Sequence, residues 1–248
     1  MFGNKKGFTL VELAIVMTII GLLIGGVLKG QEMLNNARIS AQIKQFTAVS
    51  AASVGFIDRF RYKPGDFPSA TSRIVGCTAS ANCYNGDGNN VIGVVGAGYA
   101  GFSPPQAGTT TAPQVETTMF WKHLLLADLI TGTVPDANPN TPIFGETHPV
   151  SPLSGGLLVG FGGLDTGRAS HWLLLNARAS GGLSGTNGAL TPLQAQMLDT
   201  KVDDGRPNTG DFSVEPIGNG CKTSDAQNGV YGISNPGYLC LAWYRLSF

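Results

Sequence analysis

The strongest constraint on this chain is an apolar run near its start that is long enough to cross a membrane. The sequence opens MFGNKKGFTLVELAIVMTIIGLLIGGVLKG, and between Phe8 and Leu28 the only charged residue is Glu12. A membrane-spanning helix needs about 20 apolar residues, whereas a signal peptide has a shorter apolar core followed by an A-x-A cleavage site. No such site follows this run. The pattern therefore favours a membrane-spanning helix over a secretory signal.

The charges around the run predict its orientation and raise a question. Lys5 and Lys6 precede it, so the positive-inside bias places the N-terminus in the cytoplasm and the rest of the chain outside. An acid within a bilayer costs free energy and usually has a partner. Neither a signal peptide nor a plain anchor explains why Glu12 stands where it does.

These residues resemble the N-terminus of type IV prepilins and of the pseudopilins of type II secretion. The resemblance rests on the basic leader, on Gly7-Phe8, on the TLVE stretch ending at Glu12 and on the apolar run after it. It implies that a prepilin peptidase removes residues 1–7 and that the new terminus, Phe8, is N-methylated. It also implies that Glu12 pairs with the Phe8 amine of a neighbouring subunit, where attraction is strong because the dielectric is low. The alternative is a membrane anchor whose acid lies near the interface.

The residues after the run predict that the helix continues. No proline occurs from residue 31 to residue 61, and one helix face is apolar. A helix from Phe8 to Phe60 would be roughly 80 Å long, and Lys63-Pro64-Gly65 would end it. We expect residues 8–28 to form the membrane or filament-core half, residues 29–62 the amphipathic half and residues 63–248 a loop-rich head. The apolar face comprises Ile39, Ile43, Phe46, Val49, Ser53, Phe56 and Phe60.

The head is predicted to be α+β. Apolar patterns predict helices over residues 117–129 and 190–204, the second with Thr191 as its N-cap. Short apolar runs at residues 157–161, 171–177 and 238–246 predict strands. We expect a pilin-like layout in which the long N-terminal helix packs against an antiparallel sheet.

The four cysteines all follow the apolar run, which favours disulfides in an oxidising compartment. Three pairings exist. The sequence-local one, Cys77 with Cys83 and Cys221 with Cys240, is favoured because neither loop then crosses the domain. The loop between Cys221 and Cys240 also resembles the C-terminal disulfide loop of many type IV pilins.

Two acidic or amide-rich turns are candidate metal sites. Asn85, Asp87 and Asn89 carry oxygen ligands at alternate positions, as in the first half of a calcium loop. A second cluster comprises Asp199, Asp203 and Asp204. Calcium is a candidate ion at either place, and no cofactor is required. The alternative is turn chemistry, since Asn and Asp side chains accept backbone N–H bonds.

The sequence argues against several other functions. Gly96-x-Gly98-x-x-Gly101, with Glu116 twenty residues past the first glycine, mimics a dinucleotide-binding fingerprint, but prolines follow it where a helix should start. The sequence contains no G-x-S-x-G, H-E-x-x-H or C-x-x-C motif, so we expect no enzyme. The formal net charge is zero, which argues against sequence-specific nucleic-acid binding.

Further blocks resemble a group of large bacterial prepilin-like proteins: RYKPGDFPSAT, NGDGN, FWKHLLLADLI and LDTKVDDGRPNTGDF. The combined resemblance implies a structural subunit of a type IV pilus-like filament. Its partners would be identical or related subunits, the prepilin peptidase and an inner-membrane assembly platform. It would lie in the inner membrane with a periplasmic head before assembly and in an extracellular filament afterwards. Alternatives are a pseudopilin or minor pilin of a secretion or DNA-uptake system, and a membrane-tethered calcium-dependent adhesin.

Overall fold

The computed structural model of the chain describes residues 7, 9–94, 111–113, 115–163, 169–179, 188–215, 220–234, 237 and 240–248. Its helices are α1 (Leu10–Phe60), α2 (Ala70–Arg73), α3 (Glu116–Leu126) and α4 (Pro192–Val202), with a 3₁₀ turn at Ala79–Ala81. Its strands are β1 (Gly156–Gly163), β2 (Ala169–Asn176), β3 (Phe212–Glu215) and β4 (Leu241–Arg245). The α+β layout is the one predicted.

Helix α1 is a single helix of 51 residues, about 77 Å long. It ends at Phe60, where Arg61 takes a left-handed backbone with φ of 65° and its N–H donates to Ile57. The end therefore comes just before the predicted stop at Lys63-Pro64-Gly65. The first residue that the head buries is Ile39, and from there the predicted apolar face is covered. The buried positions are Ile39, Gln42, Phe46, Val49, Ala52, Ser53, Phe56 and Phe60.

The four strands form one antiparallel sheet in the order β1-β2-β4-β3. The predicted strands at β1, β2 and β4 are confirmed, and residues 238–239 lie outside the described part. Because side chains alternate across a strand, the sheet has two apolar faces. On the face towards α1, the ring of Tyr244 stacks on Phe46 with centroids 4.8 Å apart. The opposite face buries a smaller cluster of Leu158, Trp172, Leu174, Leu241 and Trp243.

The two predicted head helices are confirmed with slightly shorter bounds. Thr191 caps α4, its hydroxyl accepting from the N–H of Gln194 while the Gln194 side chain accepts from the N–H of Thr191. Pro192 occupies the first turn, where its missing N–H costs nothing. The Gln194 amide also donates to Asn35 of α1 at 3.3 Å. Helix α4 thus rests on α1 close to the point where the head begins.

Both disulfides join sequence-local cysteines, Cys77 to Cys83 and Cys221 to Cys240. A buried cation, Lys222, lies within the loop that the Cys221–Cys240 disulfide closes. The Lys222 ammonium lies 3.1 Å from a carboxylate oxygen of Glu215 and 2.9 Å from one of Asp225, and it donates to Asn208. Lys222 and Glu215 have side chains only 1% exposed. The ion pair therefore connects the Cys221–Cys240 loop to the edge strand β3.

Replacing Lys222 by Met should destabilise the head. The change removes the ammonium that neutralises the buried Glu215 carboxylate, and breaking such a pair typically costs about 3–5 kcal/mol. Lys201→Met is the matched control, because Lys201 is exposed on α4. Urea denaturation of the full chain in detergent, followed by tryptophan fluorescence, measures both. Equal stability of the two variants would show that the buried pair contributes nothing.

Candidate functional site: the exposed half of the first helix

The N-terminal half of α1 presents apolar side chains on all sides and is not covered by the described part of the head. Fifteen large apolar residues there are between 45% and 87% exposed. Burying one such side chain is worth about 1.5–3 kcal/mol, so leaving all of them in water would cost about 20–45 kcal/mol. This half of α1 therefore needs a lipid or protein environment. The residues are Leu10, Val11, Leu13, Ile15, Val16, Met17, Ile19, Ile20, Leu22, Leu23, Ile24, Val27, Leu28, Met33 and Leu34.

Among the described helices, α1 alone has the length and apolar composition to cross a membrane. Beyond the apolar run, the first charged side chains are Lys29 and Glu32, which form an exposed ion pair at 2.8 Å. Gly21, Gly25 and Gly26 have open space where a Cβ would lie. Packing within this chain does not require these glycines, whereas small residues allow close approach between helices in membranes.

Glu12 has a local role that the sequence interpretation did not identify. Its Oε2 accepts from the N–H of Thr9 at 2.9 Å and from the Thr9 hydroxyl at 2.8 Å, while the N–H of Glu12 donates to that hydroxyl at 3.2 Å. This is a capping box, whose signature T-x-x-E is readable in the sequence. The predicted cleavage point has Gly7 exposed on one side, and Phe8 lies outside the described residues.

In the first predicted calcium loop all three side chains accept hydrogen bonds, and Asp87 accepts from the N–H and the side-chain amide of Asn89 at 3.0 and 2.9 Å. The side-chain oxygen of Asn85 accepts from the N–H of Thr71 at 2.9 Å, and that of Asn89 accepts from the N–H of Val91 at 2.7 Å. Both residues therefore use these oxygens on backbone groups. Of the three predicted ligands, Asp87 alone lies in a cluster of carboxylates.

The carboxylates beside Asp87 are Asp66 and Glu116, and one oxygen from each of the three lies within 4.8 Å of the other two. Burial, and to a smaller extent the Asp87 and Asp66 carboxylates, raise the pKa of Glu116 to about 8, although two backbone N–H bonds oppose the rise. Burial likewise raises the pKa of Asp66 to about 6. Sequence reasoning missed Asp66 and noticed Glu116 only through the dinucleotide-like spacing. The three glycines of that spacing, Gly96, Gly98 and Gly101, lie outside the described residues.

In the second predicted cluster, the three aspartates accept hydrogen bonds from the protein, and calcium binding there stays a prediction. Asp203 accepts from the N–H of Phe212 at 3.3 Å, and Asp204 accepts from the N–H of Arg206 at 2.9 Å. Asp199 is buried and accepts from the Tyr231 hydroxyl at 2.7 Å. Within the described ranges, these three aspartates do not bring three ligand atoms within 4.8 Å of one another. Asp203 and Asp204 thus accept backbone N–H groups of the turn that follows α4.

The three histidines lie apart in the sequence, are all buried, and each has a structural contact. His123 accepts from the N–H of Gly65 through Nδ1 and contacts the Tyr84 carbonyl through Nε2, each at 3.0 Å. His171 accepts from the N–H of Ile92 at 3.2 Å. Burial lowers the pKa of His123 to about 4 and those of His148 and His171 to about 3. Neutral, packed imidazoles of this kind stabilise the core.

Comparison with known families identifies the N-terminal segment. Residues 3–28 match the family described as the prokaryotic N-terminal methylation motif, the hallmark of the prepilin-type N-terminus of type IV pilins and pseudopilins. The resemblance inferred from the sequence is therefore confirmed for these residues. The match ends before the head begins. No curated protein and no solved structure matches the chain.

The buried Asp199 generates a pH-dependent prediction. Burial, followed by the Asp204 and Asp203 charges, raises its pKa to about 7. An acid whose folded pKa exceeds its unfolded value lowers stability as the pH rises from about 4 to about 7. Asp199→Asn keeps an acceptor for Tyr231 and removes the charge, so unfolding at pH 8 should require about 1–3 kcal/mol more.

Below pH 4 this gain should disappear, because Asp199 is then protonated in both states. Asp58→Asn, at an exposed position of α1, is the control and should show little change. Urea titrations at pH 4, 6 and 8 test the prediction. A loss of stability at pH 8 on adding the amide would contradict the account of Asp199 as a buried acid.

Proposed function

We propose that the chain is a structural subunit of a type IV pilus-like filament. In this proposal the chain is inserted into the inner membrane, cut between Gly7 and Phe8, and N-methylated at Phe8. It then polymerises through α1. The single observation that carries the proposal is the first half of α1, which exposes apolar side chains on every side. Most of this half lies within residues 3–28, the segment that matches the N-terminal methylation motif.

The helix geometry supports lateral packing between copies. The exposed half of α1 extends about 43 Å from Leu10 to the first residue buried by the head, at Ile39. A bilayer core is about 30 Å thick, so this half can span it and still separate the head from its surface. In a filament the same surface would be buried between neighbouring α1 helices, with the heads on the outside.

The geometry at Glu12 supports its proposed role in docking. Both side-chain bonds from Thr9 end on Oε2 of Glu12, and no described residue bonds Oε1, so this oxygen can accept an ammonium group. The capping box explains how the acid is tolerated before assembly, because it satisfies the first turn of α1. On assembly the Phe8 amine of a neighbour would approach the same carboxylate and supply the opposite charge.

The proposed maturation predicts a defined N-terminus. Native filament material should contain chains that start at an N-methylated Phe8, because the peptidase removes residues 1–7. Gly7→Arg should leave the leader attached, since a large charged side chain would stand next to the cut bond. Intact-mass and peptide mass spectrometry of sheared and membrane fractions measures both variants. Chains with an intact Met1 in the filament fraction would rule out this processing.

The docking proposal predicts that charge at Glu12 controls assembly. Glu12→Gln keeps a capping side chain, because Gln also serves at this position of a capping box, but it removes the negative charge. The neighbour's Phe8 ammonium would then be buried without a counter-charge, at a typical cost of about 3–5 kcal/mol. The variant should insert and be cut normally, yet yield far less sheared filament relative to membrane-held subunit.

Thr9→Val is the matched control for the capping box. It removes the hydroxyl that bonds Glu12 and leaves the charge in place, at a cost of about 0.5–2 kcal/mol to the helix end. Filament yield should stay near that of the unmodified chain. If Thr9→Val lowers the yield as much as Glu12→Gln does, Glu12 acts through capping and not through docking.

A further inference from the structure

Three carboxylates from distant parts of the sequence meet on the head where α1 ends. Asp66 follows the end of α1, Asp87 lies in the loop after the 3₁₀ turn at Ala79–Ala81, and Glu116 is the first residue of α3. One oxygen from each lies within 4.8 Å of the other two. Asp66 and Glu116 are 1% and 0% exposed, whereas Asp87 is open to solvent. The cluster is therefore walled on one side and accessible on the other.

Two glycines allow this close approach. Gly65 has φ of +88°, and a Cβ there would lie 2.5 Å from the carbonyl oxygen of Glu116. A Cβ on Gly86 would lie 2.4 Å from the carbonyl oxygen of Gly65 and 2.5 Å from the backbone of Asp66. Neither position accepts a side chain without moving the backbone. The sequence KPGD and the sequence NGDG thus fit against each other and against the start of α3.

The hydrogen bonds around the cluster leave one buried oxygen unsatisfied. Glu116 accepts one backbone N–H on each oxygen, from Asp87 and from Gly93, both at 2.9 Å. Asp66 accepts from the N–H of Asn90 through Oδ2 at 2.7 Å. Its Oδ1 makes no hydrogen bond of normal geometry to a described residue, although the Gly88 N–H and the Asp87 carboxyl group lie close enough to influence the pKa of Asp66. Leaving a buried carboxylate oxygen without a partner is costly, so this atom indicates a ligand that the polypeptide does not supply.

The charges point to a cation. The ammonium of Lys63 is close enough for Asp66 to influence its pKa, yet it donates to the Asn90 carbonyl at 2.8 Å. Across the described residues, it forms no ion pair within 4.0 Å with Asp66, Asp87 or Glu116. Three carboxyl groups therefore share a small volume without a directly bonded protein cation.

The available ligand atoms select the kind of cation. Both ring nitrogens of the nearby His123 contact backbone groups, and the sulfurs of Cys77 and Cys83 are joined in a disulfide. Soft metals that prefer nitrogen and sulfur therefore lack ligands here. Carboxylate oxygens suit hard cations, and calcium accepts irregular sets of six to eight oxygens, whereas magnesium requires near-octahedral geometry.

We propose that Asp66, Asp87 and Glu116 bind one calcium ion. The ion would link the end of α1, the loop at Asp87 and the start of α3, and water would complete its coordination on the exposed side. It would satisfy Oδ1 of Asp66 and neutralise the cluster. The proposal is independent of polymerisation, because all three ligands lie in the head.

The first test measures calcium binding to the full chain in detergent. Equilibrium dialysis with radioactive calcium, after removal of divalent ions by EDTA, should find one ion per chain. Asp87→Asn should weaken binding at least tenfold, and its exposed position makes unfolding of this variant no concern. Asp66→Asn should weaken it similarly. Asp58→Asn is the control and should bind like the unmodified chain. Unchanged calcium binding in both site variants would overturn the proposal.

The second test compares melting temperatures in calcium and in EDTA, which separates a ligand role of Asp66 from a structural role. At calcium 100 times above its dissociation constant, the melting temperature of the unmodified chain should rise by about 5–10 °C. Asp66→Asn should lose this rise, yet in EDTA it should melt no lower than the unmodified chain, because one like charge has gone. A lower melting temperature in EDTA together with an undiminished rise in calcium would show that Asp66 is purely structural. An equal rise with magnesium would overturn the assignment of calcium.

Discussion

The whole structure depends on one continuous helix whose two halves need different surroundings. From Ile39 onward the head covers the apolar face of α1, and the stacked rings of Phe46 and Tyr244 join the helix to the sheet. Before Ile39 the apolar side chains are exposed to the outside of the molecule. The head therefore lies at one end of a helix whose other half exposes apolar side chains. Lipid can cover these apolar side chains in a membrane, and other helices of the same kind could cover them in a filament.

Long elements of this fold could be predicted because their signals are local. The absence of proline and the spacing of apolar residues predicted α1, and short apolar runs predicted β1, β2 and β4. Strand β3 was missed because Phe212–Glu215 is too short to show alternation and follows an acidic turn. Helix α1 ends at Phe60 as predicted, and Arg61 after it adopts a left-handed backbone that usually favours glycine.

The candidate sites also differ in whether their sequence signals are local. The prepilin-type motif is contiguous, so its residues could be identified directly, although the T-x-x-E capping box within it was overlooked. The carboxylate cluster could not be predicted, because Asp66, Asp87 and Glu116 are each separated by more than twenty residues. Only the packing of Gly65 and Gly86 brings them together. A pattern that looked like half of a calcium loop thus contributes a single carboxylate to a site assembled from three segments.

The most direct test of the account is a high-resolution electron cryo-microscopy reconstruction of the filament. The account predicts that this chain repeats along the filament, with α1 helices packed in the centre. It also predicts that the Glu12 carboxylate lies within 4 Å of the N-methylated amine of Phe8 on a neighbouring copy. A filament in which that amine lies far from every Glu12, with the carboxylate bonded only to Thr9 of its own chain, would contradict the central claim.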